Sequence, residues 1–180
     1  MKDKINVITA GPSAGKSSTI RELSARGYRT LPEAARLLFD QAISEGSSPE
    51  SKRQEDDFHE QVEAIDRRIE SHIPDDEVVF LDRSIVDNVA YRRMFGSPTV
   101  REQIVDEATD KYDNVFILER IEFTDDAVRS EDEQEAAETH ETIIDTYTDL
   151  GYDPIHVPLM PVDSRADFIE RHVEKTPPIH

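Results

Sequence analysis

Near the N-terminus a mostly apolar run passes directly into a short loop rich in glycine, serine and alanine, and this combination restricts the fold more than any other segment. Residues Lys4–Ala10 have the pattern of a buried strand, and a helix is predicted from about Lys16 to Arg26. A strand that turns tightly into a helix aims several backbone N–H groups at one point, where the helix dipole adds positive potential. The segment therefore predicts a phosphate-binding site; the alternative is a loop that merely joins a strand to a helix.

The loop and the first helical turn resemble the Walker A motif of P-loop NTPases, with Ala10 where the motif usually has its first glycine. In this motif Lys16 supplies a positive charge for the β- and γ-phosphates, and Ser17 offers a hydroxyl to Mg²⁺. We therefore expect the chain to bind ATP or GTP together with Mg²⁺. The predicted nucleotide-binding residues are Gly11, Pro12, Ser13, Ala14, Gly15, Lys16, Ser17 and Ser18.

Strand and helix patterns alternate along the rest of the chain. The three strongest strand candidates are apolar nearly throughout, which is typical of a parallel sheet covered on both faces. We expect an α/β fold, a three-layer α/β/α sandwich around a five-stranded parallel sheet, with residues 1–180 forming one domain. The predicted strands are Lys4–Ala10, Tyr28–Leu31, Val78–Asp82, Asn114–Glu119 and Tyr152–Pro158. The predicted helices are Lys16–Arg26, Ala34–Glu45, residues 50–72, Ile85–Phe95, Thr99–Lys111, residues 130–150 and Val162–Glu174.

A second candidate site lies at the end of the apolar strand Val78–Asp82. Its last residue, Asp82, resembles the Walker B carboxylate, which holds Mg²⁺, usually through water. Arg83 follows at once, and an Asp-Arg pair at this position resembles nucleoside and nucleotide kinases, in which the arginine contacts the acceptor or its phosphate. The alternatives are a helix N-cap for Asp82 and a surface ion pair for Arg83, although Ser84 is a good cap for the helix that starts at Ile85.

Glu33 and Arg36 lie where the second strand gives way to a helix. In the strand order 2-3-1-4-5 of P-loop kinases, the end of this strand lies in the acceptor cleft, so Glu33 can accept the proton of an attacking hydroxyl. Arg36 would share the helix face of Glu33 if the helix begins that early. The alternative is an ordinary acidic residue at a helix start and an exposed arginine.

A lid-like segment is predicted at about residues 120–132, where P-loop kinases carry a mobile lid. Arg129 within it is predicted to stabilise charge on the transferring phosphoryl group, and Arg120 is a further candidate. The alternative for Arg129 is an ion pair with the acidic residues that follow it. The loop at residues 157–162 is expected to pack against the nucleotide base, or to be only a proline-rich turn.

Taken together, these segments resemble one family, the AAA-like P-loop ATPase/kinase domain found in NadR-type proteins. The resemblance rests on residues 8–17, Arg26-Gly27-Tyr28, residues 32–36, residues 80–84 with Asp87, Ala90 and Tyr91, residues 128–132, Leu150-Gly151-Tyr152, Val157-Pro158, Pro161-Val162, Arg165 and residues 167–169. It implies a nucleoside-kinase-like, Mg²⁺-dependent phosphotransferase or ATPase acting on an unknown small-molecule acceptor. Its predicted catalytic residues are Lys16, Asp82, Glu33, Arg83 and Arg129, and its predicted metal ligands are Ser17 and Asp82. The alternative function is a nucleotide-dependent binding switch with weak NTPase activity.

The overall charge restricts the partners. The chain has 40 acidic and 21 basic residues and a net charge of −19, which disfavours binding to nucleic acid or to anionic membrane surfaces. It has no cysteine and no apolar run long enough for a membrane span, so we expect a cytoplasmic protein. The acid excess resembles proteins of salt-loving organisms, although an ordinary acidic protein is the alternative. On the halophilic interpretation the melting temperature should fall when molar salt is replaced by tenth-molar salt.

Overall fold

The computed structural model describes residues 4–74, 77–95, 102–120 and 131–175. Within these ranges the five strands occur in the predicted order, and eight helices are present where seven were predicted. The strands are β1 (Lys4–Thr9), β2 (Arg29–Leu31), β3 (Val78–Asp82), β4 (Asn114–Leu118) and β5 (Ile155–Val157). The helices are α1 (Lys16–Ala25), α2 (Ala34–Ser44), α3 (Pro49–Arg53), α4 (Phe58–Glu70), α5 (Ile85–Met94), α6 (Glu102–Ala108), α7 (Glu131–Asp149) and α8 (Val162–Lys175).

The five strands form one parallel sheet with the order β2-β3-β1-β4-β5, which confirms the predicted fold class and strand order. In the pairing of β1 with β3, Ile8 lies opposite Asp82. Because parallel strands end at the same edge of a sheet, the loop that follows β1 and the last residue of β3 are neighbours. The candidate site is therefore assembled from segments more than 60 residues apart in the sequence.

Apolar side chains fill both faces of the sheet, since successive residues of a strand point to opposite sides. Val7 belongs to a core cluster formed with α5, α6 and α7, whereas Ile8 belongs to a second cluster formed with α1 and α8. Both residues are fully buried. The three layers of the predicted sandwich are thus present, with β1 at the centre of the sheet.

The helix predicted at residues 50–72 is instead two helices. Helix α3 ends at Arg53, and α4 begins at Phe58 after the acidic run Glu55-Asp56-Asp57. Negative charge is unfavourable at the C-terminus of one helix and favourable at the N-terminus of the next, so this run separates the two. The break lets Phe58 pack on α2, where its ring stacks on Phe39 with centroids 5.5 Å apart.

The last strand also differs from the prediction in length. Strand β5 spans Ile155–Val157 only, because Pro154 and Pro158 at its two ends have no N–H group to donate to the sheet. Tyr152, predicted to start this strand, instead accepts a hydrogen bond at its hydroxyl from the N–H of Lys111, at 3.1 Å. Among the described residues no helix is long and apolar enough to cross a membrane.

Candidate active site

The loop between β1 and α1 has the tight turn that a phosphate seat requires. Ser13 and Gly15 adopt left-handed backbone conformations, with φ of 63° and 77°. Gly15 immediately precedes Lys16, the first residue of α1, so the loop ends at the N-terminus of a helix. Ser17 and Ser18 lie in the first turn of α1 and are both exposed, and the exposed residues of the loop itself are Pro12, Ser13 and Gly15.

Two helices from the C-terminal part of the chain hold this loop. The N–H of Gly11 donates to Nδ1 of His140 on α7 at 3.0 Å, and Nη1 of Arg165 on α8 donates to the carbonyl of Ala14 at 2.9 Å. A Cβ atom at Gly11 would lie 2.8 Å from Cβ of His140, and one at Gly15 would lie 2.8 Å from Nη1 of Arg165. Gly11 therefore needs glycine for close approach, whereas Gly15 needs it for its left-handed backbone, since the end of the Arg165 side chain can move.

Lys16 is held between two carboxylates. Its ammonium group contacts Asp82, at the end of β3, and lies 3.4 Å from Oε2 of Glu33. The side chain of Lys16 is only 11% exposed. Burial raises the pKa of Asp82, and the charge of Lys16 opposes this rise only in part.

Ser17 and Asp82 line one cavity of about 280 Å³, together with Glu33. Among the described residues no three His, Cys, Asp or Glu side chains form a cluster that would hold a metal ion. This donor set nevertheless suits Mg²⁺, which prefers oxygen ligands, keeps several waters and is usually held by one or two protein groups together with substrate phosphates. The hydroxyl of Ser17 and the carboxylate of Asp82 fit that requirement.

Arg83 points into the site from a strained backbone position. Its φ is 68°, in the left-handed region that few residues other than glycine adopt. Its Nε lies 3.2 Å from Oε1 of Glu33, and its Nη1 donates to Oδ1 of Asp87 at 3.0 Å. Its guanidinium lies over the ring of Tyr91, 5.4 Å from the centroid. With its side chain 12% exposed, Arg83 is a buried, fixed cation and not part of a surface ion pair.

Asp87 joins three elements of the site, a role that sequence reasoning missed. Its carboxylate accepts hydrogen bonds from the hydroxyl of Thr9 on β1 and from that of Tyr147 on α7, the latter at 2.7 Å. It also accepts from the N–H of Ser84 at 3.0 Å, completing a capping box whose other half is the Ser84 side chain. Ser84 therefore caps α5, and Asp82 does not.

A larger cavity of about 490 Å³ opens beside the loop. Its floor is formed by the tip of the loop and the start of α5, and its walls by α2, α4, α5 and α7. Glu33 lines both this cavity and the smaller one, so its carboxylate lies at their junction. The residues that carry charge into the larger cavity are Glu33, Arg53, Asp66, Arg83, Asp87, Glu133 and Glu135.

The other residues predicted for the site lie in different places relative to the two cavities. Arg36 lines the smaller cavity, but its guanidinium pairs with Asp40 on α2, at 2.9 Å. Arg120 pairs with Glu133 at 2.7 Å. Arg129 and residues 121–130 of the predicted lid lie outside the described residues, so their predicted roles stay predictions. Neither cavity, as described, is lined by residues 157–162.

Comparison with known proteins agrees with this architecture. A sequence model of the AAA domain family matches residues 6–165, whereas no curated protein matches the chain. The NadR protein solved in complex with NR has a TM-score of 0.68 and 17% identity, over 96% of this chain and 52% of that chain. This chain therefore spans about half the length of that NadR protein.

Two further solved structures are similar along nearly their whole length. Thymidylate kinase from Ehrlichia chaffeensis has a TM-score of 0.66 and 12% identity, over 96% of this chain and 100% of that chain. Deoxyadenosine kinase from M. mycoides has a TM-score of 0.59 and 17% identity, over 95% and 98%. These likenesses concern the fold. Since the family model covers most of the sequence, the chain belongs to the AAA domain family, as a P-loop NTPase domain with the fold of nucleotide kinases.

Proposed function

We propose that this protein is a Mg²⁺-dependent phosphotransferase that moves the γ-phosphoryl group of ATP or GTP to a hydroxyl of a small molecule. The observation that carries this proposal is the position of the larger cavity. Pro12 and Ser13, at the tip of the phosphate loop, line it together with Arg83 and Glu33. A donor on the loop and an acceptor in the cavity would therefore meet at one edge of the sheet, in the arrangement that phosphoryl transfer requires.

In the proposed step the acceptor oxygen attacks the γ-phosphorus, and the bond from that phosphorus to the bridging oxygen breaks. The electron pair of the broken bond leaves with ADP or GDP, and the proton of the acceptor hydroxyl passes to a carboxylate of the protein. Glu33 or Asp82 is the base, because both carboxylates lie beside Lys16; Glu33 lines both cavities and Asp82 lines the smaller one. Mg²⁺ bound with the nucleotide would neutralise phosphate charge, with Ser17 and Asp82 as its protein ligands.

The cations of the site are placed to stabilise charge on the transferring group. Lys16 would exchange its contacts with Asp82 and Glu33 for the β- and γ-phosphates. Arg83 is kept in place by Asp87 and by the Tyr91 ring, and it faces the acceptor cavity. Fixed charges of this kind lower a barrier because they need no reorganisation at the moment of reaction. We further propose that the whole chain acts as one catalytic domain, with Arg129 contributed by a lid at about residues 120–132.

The test is transfer of labelled phosphate from ATP and from GTP to a panel of nucleosides, nucleoside monophosphates, sugars and amino alcohols. With the best acceptor, Lys16→Ala should lower kcat by at least about 10²-fold, because it removes a charge that stabilises the transition state. Lys52→Ala is the matched control, since Lys52 pairs with Glu55 and lines neither cavity. Normal turnover in Lys16→Ala would contradict the proposal.

The same assay distinguishes a phosphotransferase from the alternative function, a nucleotide-dependent binding switch. A nucleotide-dependent switch would release phosphate slowly to water and transfer none to any acceptor, whereas a kinase transfers it to at least one compound of the panel. Calorimetry with a non-hydrolysable ATP analogue measures nucleotide binding independently of turnover. Binding without transfer would overturn the phosphotransferase proposal, and absence of both would overturn nucleotide binding as well.

A further inference from the structure

Helix α4 carries two buried acidic residues whose surroundings differ. Glu63 is 2% exposed and lies 2.7 Å from the guanidinium of Arg92, and it accepts a hydrogen bond from the amide of Asn88 at 3.3 Å. Asp66, almost one turn further, is 8% exposed. Within the part of the chain that the structure describes, its carboxyl group has neither a hydrogen-bond partner nor an ion-pair partner. Asp66 lines the larger cavity beside the phosphate loop.

A buried carboxyl group without a partner is costly, and the described residues give Asp66 neither a hydrogen bond nor an ion pair. Burial raises the pKa of Asp66 well above its usual range, and the negative charges of Glu70, Asp87 and Glu33 raise it further. The charge of Lys111, which pairs with Glu70, opposes this rise. Unpaired buried polar groups are few in native proteins and are expected at functional or strained sites. The carboxyl group of Asp66 is therefore suited to accept a hydrogen bond from a bound molecule.

The rest of the cavity indicates the shape of that molecule. Aromatic rings form much of its wall, with Phe58 stacked on Phe39 and with Tyr91 and Phe95 stacked 6.5 Å apart. Val62, one turn before Asp66 on α4, lines the cavity as well. Flat apolar walls of this kind accommodate a planar heterocycle, which stacks on aromatic rings. A polar atom among them selects by hydrogen bonding.

The charges that line the cavity disfavour an acceptor that carries a phosphate group. Its described lining has five carboxyl groups and two guanidinium groups, those of Arg53 and Arg83. Arg83 is already paired with Glu33 and Asp87, and Arg53 lies over the ring of Phe39. Glu133 pairs with Arg120, and Glu33 also lies beside Lys16. Among the described residues, Asp66 and Glu135 are then the lining carboxyl groups without an ion pair, and an acceptor with a phosphate group of its own would add its charge to theirs. An uncharged nucleoside avoids this repulsion.

We propose that the acceptor is an uncharged nucleoside and that Asp66 selects it by accepting a hydrogen bond from an N–H group of its base. This inference rests on the proposed phosphotransferase function and names the class of substrate and a residue that distinguishes among substrates. The sugar hydroxyl would lie toward Glu33 and the phosphate loop, and the base toward α4. Asp66 takes no part in the proton transfer.

The experiment compares acceptors in matched pairs. The four common ribonucleosides and deoxyribonucleosides and their 5′-monophosphates are tested first, and the best acceptor is then compared with an analogue that lacks the base N–H. Purine riboside replaces adenosine, for example, or N3-methyluridine replaces uridine. We expect a nucleoside to be preferred over its monophosphate, and loss of the N–H to lower kcat/KM by about ten- to a hundredfold, because it leaves a buried acceptor unpaired.

Variants of Asp66 distinguish recognition from a structural role. Asp66→Leu should lower kcat/KM for the best nucleoside by about ten- to a hundredfold and remove the discrimination against the N–H-free analogue. Asp66→Asn, whose amide oxygen still accepts a hydrogen bond, should retain the discrimination. Both variants should bind a non-hydrolysable ATP analogue as the unaltered protein does and should melt at a higher temperature, since an unpaired buried acid is lost. Asp145→Asn, at an exposed position on α7, is the control.

These measurements test whether the acceptor is an uncharged nucleoside that Asp66 recognises. Preference for monophosphates, or equal use of a nucleoside and its N–H-free analogue, would overturn the inference, as would unchanged discrimination in Asp66→Leu. Calorimetry of the nucleosides with the ATP analogue present separates the two proposals. Nucleoside binding that Asp66→Leu weakens, without any transfer, would overturn the phosphotransferase proposal and support the recognition role. ATP-analogue binding with no nucleoside binding would overturn the recognition role.

Discussion

The contact between the phosphate loop and α7 predicts a large effect for the substitution Gly11→Ala. The backbone of Gly11 is in a region open to any residue, so the substitution carries no conformational strain of its own. The new Cβ atom, however, would lie 2.8 Å from Cβ of His140 and 3.0 Å from the carbonyl oxygen of Ala136. Neither neighbour is the end of a flexible side chain, so the loop or α7 must move by about half an ångström to restore ordinary contact.

The size of the effect follows from known costs. Overpacking of this kind destabilises by about 1–3 kcal/mol, and alanine returns about 0.4–1 kcal/mol by restricting the unfolded chain. We expect the free energy of unfolding to fall by about 1–2 kcal/mol in urea denaturation. Because the displaced segment is the phosphate loop itself, affinity for an ATP analogue measured by calorimetry should fall about tenfold or more, equivalent to at least about 1.4 kcal/mol.

Gly27→Ala is the control, because Gly27 has a left-handed backbone and open space around it, whereas Gly11 has an ordinary backbone and close neighbours. Gly27 has a φ of 95°, and an added Cβ atom would meet nothing within 4 Å. The substitution should therefore destabilise through backbone strain, by about 1 kcal/mol, and leave nucleotide affinity unchanged. If Gly11→Ala kept both its stability, within about 0.5 kcal/mol, and its nucleotide affinity, the argument that α7 fixes the loop would be refuted.

Two further predictions concern the same site. Asp82→Asn should lower kcat by about 10²-fold or more and raise the Mg²⁺ concentration needed for half-maximal rate, because the proposed metal-side carboxylate is lost; an unchanged Mg²⁺ dependence would contradict this assignment. Burial lowers the pKa of His140 below its ordinary value of 6.5, so below pH 6.5 the unfolded chain takes up a proton that the folded chain resists. Stability should thus be full above pH 6.5 and decrease as the pH falls toward the lowered value, and urea titrations of His140→Asn between pH 5 and 7.5 should show a shallower slope.

The strand, loop and helix from β1 to α1 were predictable from the sequence because they form one local pattern. The order of an apolar strand, a small-residue loop and a helix restricts the backbone from residue 4 to residue 25, and the structure follows it. The neighbouring position of Asp82 was predictable too, since β3 is an apolar strand that ends in a carboxylate and parallel strands end at a common edge. Both predictions needed only the residue pattern and the known behaviour of parallel sheets.

The contacts that hold the loop were not predictable in this way. His140 and Arg165 lie 129 and 151 residues from their hydrogen-bond partners, and neither belongs to a local pattern that marks such a role. Arg165 entered the sequence interpretation only through a family resemblance. Tertiary packing alone brings α7 and α8 to the loop, so its supporting residues become visible only in the folded chain.

The larger cavity was predictable only in part. Asp66 sits on the mostly apolar face of α4, one turn after Val62 and two turns after Phe58, and an acidic residue at such a position is a signal that the sequence contained. The prediction of one helix over residues 50–72 missed the acidic break before Phe58. That break determines where Phe58 and Asp66 point, so the cavity could not be anticipated.

The contacts of Lys16 with Asp82 and Glu33 have a consequence for which ions the site admits. Without a ligand, the ammonium group of Lys16 is already paired with these two carboxylates. An anion that binds to Lys16 must therefore replace them. A halide or a lone monovalent anion offers too little charge to displace two carboxylates. A polyphosphate can do so, which would let a protein of such negative charge remain selective even when simple salts are abundant.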